Sequence, residues 1–174
     1  MPTRATFRWP RVLFVASLVA AMSGVAAAQL PLSEVEVRLV RTPMGGCVDP
    51  CVNNYSVVIR GDGSVLYDGH GLVEGRRTRI ISPDDVVSLV NEFLRARFFN
   101  ALDTYAACCS VLVRKGDTVG LYGIASADDP YVALTLRIGA RTKTVTLRTD
   151  YPADLGKLPE LVDGIGGPRV WQGQ

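Results

Sequence analysis

The chain has 174 residues, with 19 lysines and arginines against 17 aspartates and glutamates and a formal charge of +2. Three of those basic residues, Arg4, Arg8 and Arg11, and none of the acids lie in the first 28 positions. The rest therefore carries 16 basic against 17 acidic residues, about −1, which excludes the basic footprint of a nucleic-acid or anionic-membrane binder.

The first 28 residues read as a secretory signal. The basic segment is followed by Val12 to Ala28, almost wholly apolar and small, and Ala26-Ala27-Ala28 forms an A-x-A cleavage site before Gln29. An uncleaved anchor is the alternative, but the apolar run sits at the short limit for a membrane span. No cysteine stands at the cleavage point, so a lipoprotein is not indicated. We expect a signal peptide over 1–28, and a periplasmic or secreted domain over 29–174 that leaves the membrane once cleaved near Ala28. That length suffices for one real core.

Val35, Val37 and Leu39 alternate with Glu36, Arg38 and Val40, which predicts a strand with one buried face. A loop then leads to Cys47-Val48-Asp49-Pro50-Cys51. Next come two strands, Tyr55 to Arg60 and Ser64 to Asp68, rich in β-branched and aromatic residues. Gly61-Asp62-Gly63 supplies the positive-φ positions of a three-residue hairpin loop. Pairing across it sets Ile59 against Val65 and Val57 against Tyr67 on one face, with Val58 against Leu66 on the other. A third strand is expected within Leu72 to Ile80.

Ser82-Pro83-Asp84-Asp85 is a strong helix start: a capping hydroxyl, proline at the first position and two acids at the positive dipole end. Val86, Leu89, Val90, Phe93 and Leu94 recur at helical spacing, so a helix is expected from Pro83 to about Arg97, with Phe98 and Phe99 in the core. Residues 100–129 are the least legible. Val111–Val113 and Thr118–Ile124 each suit a strand, although Gly116, Gly120 and Gly123 weaken the pattern. Val132, Leu134, Leu136 and Ile138 alternate again, and Gly139-Ala140 fits a two-residue turn. Lys143 to Arg148 then returns with Leu134 opposite Val145 and Val132 opposite Leu147. Asp150 to Leu158 reads as a turn with room for one helical turn, and Pro159 to Ile165 as a short helix that proline begins. Gly166-Gly167-Pro168 ends it, and Trp171 is expected to fold back on the core. The fold expected is α+β: an antiparallel sheet of about five or six strands, one main helix on a face and a short C-terminal helix.

The hairpin region resembles a family of exported bacterial domains, the domain of unknown function 6438. That family shows a Cys-x-Gly-x-Cys-Pro-x-Tyr run, a strand, an Asp-Gly turn and a second strand ending in Tyr-x-Gly before a helix. Cys47, Cys51, Tyr55, Asp62, Gly63, Tyr67 and Gly69 occupy the corresponding places, and the likeness runs from about Val35 to Trp171. Asp49 replaces the usual glycine, Val52 the proline, and one extra residue precedes Tyr55. Residues 100–129 look lengthened against the family. The resemblance implies an exported α+β module and no particular activity.

All four cysteines, Cys47, Cys51, Cys108 and Cys109, follow the signal, and an even count in an exported chain favours disulfides. Three connectivities are open; Cys47–Cys51 would leave a strained vicinal Cys108–Cys109 bridge. A redox or zinc role is the alternative, although C-x3-C is a weaker signature than C-x2-C and adjacent cysteines chelate poorly.

His70 is the single histidine, in a glycine-rich stretch beside Asp68, and no Gly-x-Ser-x-Gly elbow accompanies it. Asp84-Asp85 is explained by helix capping and Asp128-Asp129 by turn chemistry, and neither has calcium-loop spacing. Gly45-Gly46 and Gly61-Asp62-Gly63 lack the Gly-Lys-Ser/Thr of a phosphate loop. Arg77 and Arg79 would share a strand face beside Arg76. They suit a partner's acids, but a solvated edge that blocks sheet-to-sheet pairing is the reading preferred here. No catalytic, cofactor or metal residue is assigned. The expected function is a non-enzymatic binding or structural module of the cell envelope, its partner an unknown protein or small-molecule ligand. Thiol-dependent redox or metal-linked activity at Cys47 and Cys51 is the alternative.

Overall fold

The computed structural model describes residues 29–43, 53–105, 110–123, 131–148 and 151–172. The main sheet consists of β1 (Val35–Thr42), β2 (Tyr55–Arg60), β3 (Ser64–His70), β4 (Glu74–Ile80), β5 (Thr104–Tyr105), β8 (Tyr131–Ile138) and β9 (Arg141–Leu147), with apolar residues alternating along β1, β2, β3, β8 and β9. Its order is β4-β3-β2-β1-β8-β9-β5, antiparallel except where β5 runs parallel to β9. A separate two-stranded sheet joins β6 (Ser110–Lys115) and β7 (Thr118–Gly123). The α+β class is as expected, but among the described residues the main sheet has seven strands rather than five or six. The extra strand is β5, whose two residues carry no periodicity to read and which pairs with β9 only through the tertiary fold.

Both hairpin registers are as expected. Ile59 faces Val65, Val57 faces Tyr67 and Val58 faces Leu66; Leu134 faces Val145 and Val132 faces Leu147. Since a one-residue slip would turn every apolar side chain to the wrong face, burial and turn length select the same pairing. Gly139 supplies the positive φ (59°) of the two-residue turn.

Val37, Leu39, Val57, Ile59, Val65, Tyr67, Leu134, Leu136, Val145 and Leu147 form one buried sheet face. Two helices are pressed against it. Helix α1 (Pro83–Arg95) starts as expected: the Ser82 hydroxyl accepts from the Asp85 N–H at 3.1 Å. It stops two residues early because Arg97 turns left-handed (φ 53°), which directs Phe98 edge-on to Phe93 at 5.0 Å between ring centroids. Phe98 is fully buried, whereas Phe99 packs at the border under Arg141.

Helix α2 (Ala153–Gly166) corrects the expected C-terminal helix. It has 14 residues and Pro159 lies inside it. An internal proline forfeits one backbone bond and costs about 3 kcal/mol. Leu155, Leu158, Pro159 and Val162 are all buried by this helix, and each such aliphatic side chain returns about 1.5–3 kcal/mol. The stretch 153–158 is therefore continuous with the helix, rather than a turn with at most one helical turn, because the core needs Leu155 and Leu158. A final turn, α3 (Pro168–Trp171), places Trp171 in the core, where its Nε1–H donates to the Gly166 carbonyl at 2.8 Å. Among the described residues, no helix is long and apolar enough to cross a membrane.

Candidate functional site

The hairpin motif is mostly scaffold. The Asp62 carboxylate accepts from the Ser64 N–H at 2.9 Å, and that bond holds its pKa below the ordinary carboxylate value. Gly63 has φ +87°, and a Cβ there would lie 2.2 Å from the Ile81 carbonyl oxygen. Tyr67 is buried, its hydroxyl donates to the Val73 carbonyl at 2.9 Å, and burial pushes its pKa up. Gly69 makes room for that ring: a Cβ would meet the Val73 oxygen at 2.1 Å and the Tyr67 hydroxyl at 2.3 Å. Tyr67 lies between Tyr55 and Trp171, with ring centroids at 5.6 and 6.0 Å, distances suited to aromatic pairing.

Tyr55 links this stack to a polar cluster. Its hydroxyl donates to Asp163 Oδ1 at 2.7 Å. Arg41 donates to Asp163 Oδ2 from Nε at 3.0 Å and from Nη2 at 2.5 Å. The arginine and aspartate side chains are 22% and 23% exposed, so each is mostly withdrawn from water but still reachable. Burial raises the Tyr55 pKa well above its ordinary value, and the hydrogen bond to Asp163 adds to this. For Arg41, burial acts to lower the pKa, but the Asp163 charge and hydrogen bonds, with Tyr55, outweigh it and the net shift is upward. Neither Arg41 nor Tyr55 gives up its proton near neutrality, so both remain donors to Asp163.

The cluster lines an open cleft of about 860 Å³ at the end of the β1–β2 pair. Asn53, Glu160, Arg169 and Gln172 add polar groups to its wall. Arg41 and Asp163 were not singled out from sequence, yet a signal existed. Arg41 continues the inward parity of Val37 and Leu39 and stands opposite Tyr55 in the sheet. Asp163 follows four residues after buried Pro159 on α2. A charge at a core-facing position requires a partner.

The remaining candidates among the described residues do not join this cluster. His70 ends β3, 67% exposed, 3.8 Å from Asp68. Asp85 serves the α1 start, accepting from the Ser82 hydroxyl at 2.8 Å. Arg76, Arg77 and Arg79 lie on β4, an exposed edge strand as expected. Cys47, Cys51, Cys108, Cys109 and Asp128-Asp129 lie outside the described residues. Among the described residues, no three histidine, cysteine or acidic side chains gather as a metal site.

A family model, Domain of unknown function (DUF6438), matches residues 38–166. The chain belongs to this family. No curated protein matches it. The DUF6438 match ends at Gly166, so it takes in Arg41, Tyr55 and Asp163 and stops before Arg169 and Trp171. The polar cluster is thus contained in the DUF6438 segment, while the α3 wall of the cleft lies beyond it.

Proposed function

We propose that this domain is an exported, non-enzymatic binding module whose small-molecule ligand occupies the Arg41–Tyr55–Asp163 cleft. The observation that carries this is the cleft's polar wall, anchored on the hydrogen-bonded Arg41–Tyr55–Asp163 triad. Both Asp163 oxygens already accept hydrogen bonds, so its carboxylate orients donors rather than abstracting protons. Convergent polar groups on a preformed cleft are what small-ligand recognition uses. The charged wall residues balance, Arg41 and Arg169 against Glu160 and Asp163, and Asn53 and Gln172 each offer donor and acceptor. That combination suits a polar ligand that is neutral or zwitterionic, of the sugar or amino-acid class.

The test is a thermal-shift screen of monosaccharides and amino acids, followed by calorimetry on any compound that raises Tm. Arg169→Ala and Asn53→Ala change exposed cleft residues outside the triad, so each variant should fold normally and lose at least about tenfold in affinity. If no compound raises Tm at millimolar concentration, or the affinity survives both changes, the cleft is not the binding site.

Export and the cysteine scaffold are read from the sequence and share one measurement. Intact-mass and disulfide-mapping spectrometry on protein from the periplasm should find a chain beginning near Gln29 with all four cysteines bridged and resistant to mild reductant. Free or readily cycling Cys47 and Cys51 would instead favour thiol-dependent chemistry. An unprocessed start would remove the case for cleavage.

A further inference from the structure

We propose a second site: the outer edge of β4 takes an extended acidic peptide from a partner protein as an added strand. Among the described residues, nothing pairs with this edge. The direction of its backbone groups follows from the ladder. The His70 N–H bonds to the Asn54 carbonyl at 2.8 Å, and the Ile81 N–H to the Gly63 carbonyl at 2.9 Å. Antiparallel alternation then commits Gly75, Arg77 and Arg79 to β3 and turns the N–H and C=O groups of Glu74, Arg76, Thr78 and Ile80 outward. Main-chain pairing with such an edge supplies affinity, and side-chain pockets supply selection.

Charge and shape choose the occupant. β4 carries three arginines against one glutamate, and every residue of it is exposed. The Arg77 guanidinium rests on the outward Arg76 carbonyl at 3.1 Å, a position from which it can swing to an incoming carboxylate. Arg76 holds Asp68 at 3.3 Å and Arg79 reaches the Ile165 carbonyl at 3.4 Å, whereas Arg77 stands opposite Tyr67 and, among the described residues, its guanidinium hydrogen-bonds to the backbone of its own strand. Beside the edge, an open groove of about 360 Å³ between the helices is lined by Arg79, Ile81, Leu89, Leu161 and Ile165, with Asp85, Ser88 and Glu92 on its α1 side; it can take an apolar side chain of the added strand, whose acids would have to stay over the arginines of β4. Ile80 is 74% exposed on the opposite face and would be covered by an added strand. A second copy of β4 is the wrong partner, because antiparallel self-pairing would bring arginines against arginines. The same charges that guard the edge against itself therefore leave it open to an acidic strand.

The test uses the full folded chain and two blocked decapeptides, one of glutamate, threonine and valine, the other with lysine replacing glutamate. Calorimetry gives affinity, and amide hydrogen exchange by NMR reads Arg76, Thr78 and Ile80. The acidic probe should bind and slow exchange at those three amides, while the lysine probe should not. Thr78→Pro removes one outward N–H without touching the β3 ladder, a position where an edge strand tolerates proline. It should weaken binding about tenfold or more with Tm unchanged. Should that variant not fold, Arg77→Glu/Arg79→Glu decides: it must lose the acidic probe and gain the lysine one. No binding at about 1 mM acidic probe, equal binding of both probes, or binding that survives Thr78→Pro overturns the proposal. So does concentration-dependent protection without probe, which would make a second copy the occupant.

Discussion

Replacing Asp163 by alanine should cost about 2–4 kcal/mol of stability. The change strands two donors at once. Arg41 loses its counter-charge and Tyr55 its acceptor, at a site where water reaches only in part. An unpaired charge left in such a place is penalised more than the pair itself was worth. For a chain of this length the loss should lower Tm by roughly 4–16 °C, and urea denaturation gives the free energy directly. Asp163→Ala combined with Arg41→Ala should recover part of the loss, because no charge is then left unpartnered. A cost below about 1 kcal/mol for Asp163→Ala would mean that the pair behaves as an ordinary surface salt bridge. The same cluster sets an alkaline signature. Tyr55 holds its proton more tightly folded than unfolded, and Tyr67 shifts the same way. Their contribution is therefore complete below the ordinary tyrosine value of 10.0 and is lost progressively as pH rises above it, because only the unfolded chain releases the proton there. Tyr55→Phe should flatten part of that decline.

Gly69→Ala is expected to cost about 3 kcal/mol or more. The new Cβ meets the Val73 carbonyl oxygen, which is backbone, and the Tyr67 ring, which has no free space to retreat into. Displacing Tyr67 would break its bond to Val73 and open the contacts to Tyr55 and Trp171. The near-UV circular dichroism of these aromatics should change along with the denaturation midpoint. Gly164→Ala is the matched control: a Cβ there meets nothing within 4 Å on an exposed turn of α2, so stability should hold or rise by about 0.5–1 kcal/mol. Equal costs at the two positions would show that steric crowding at Gly69 is not what its glycine relieves.

Much of the architecture was legible because local chemistry and burial agree. Ser82-Pro83-Asp84-Asp85 specifies a helix start within one turn, and the Gly-Asp-Gly and Gly-Ala turns each leave one register with a continuous apolar face. Where the two disagree, the sequence misleads. Pro159 argues locally for a helix beginning, yet the helix runs through it, since Leu155 and Leu158 are needed against the sheet. Tyr55, Asp62, Gly63, Tyr67 and Gly69 lie on the hairpin, but their division into scaffold and site was not legible. Asp62, Gly63, Tyr67 and Gly69 shape the turn and the aromatic stack, and only Tyr55 reaches the cleft.

The sequence by itself determined the α+β class, the two hairpin registers, the main helix start, the arginine-rich edge and the DUF6438 membership, because each rests on neighbours a few residues apart or on a pattern of fixed period. The candidate site was decided only by tertiary structure. Arg41 and Asp163 stand 122 positions apart, Tyr55 and Asp163 108 apart. Nothing local relates the end of the first strand to the third turn of a helix that a proline hides. They meet because the sheet's buried face draws α2 across it, and an arginine and an aspartate at that border must satisfy each other once water is largely removed.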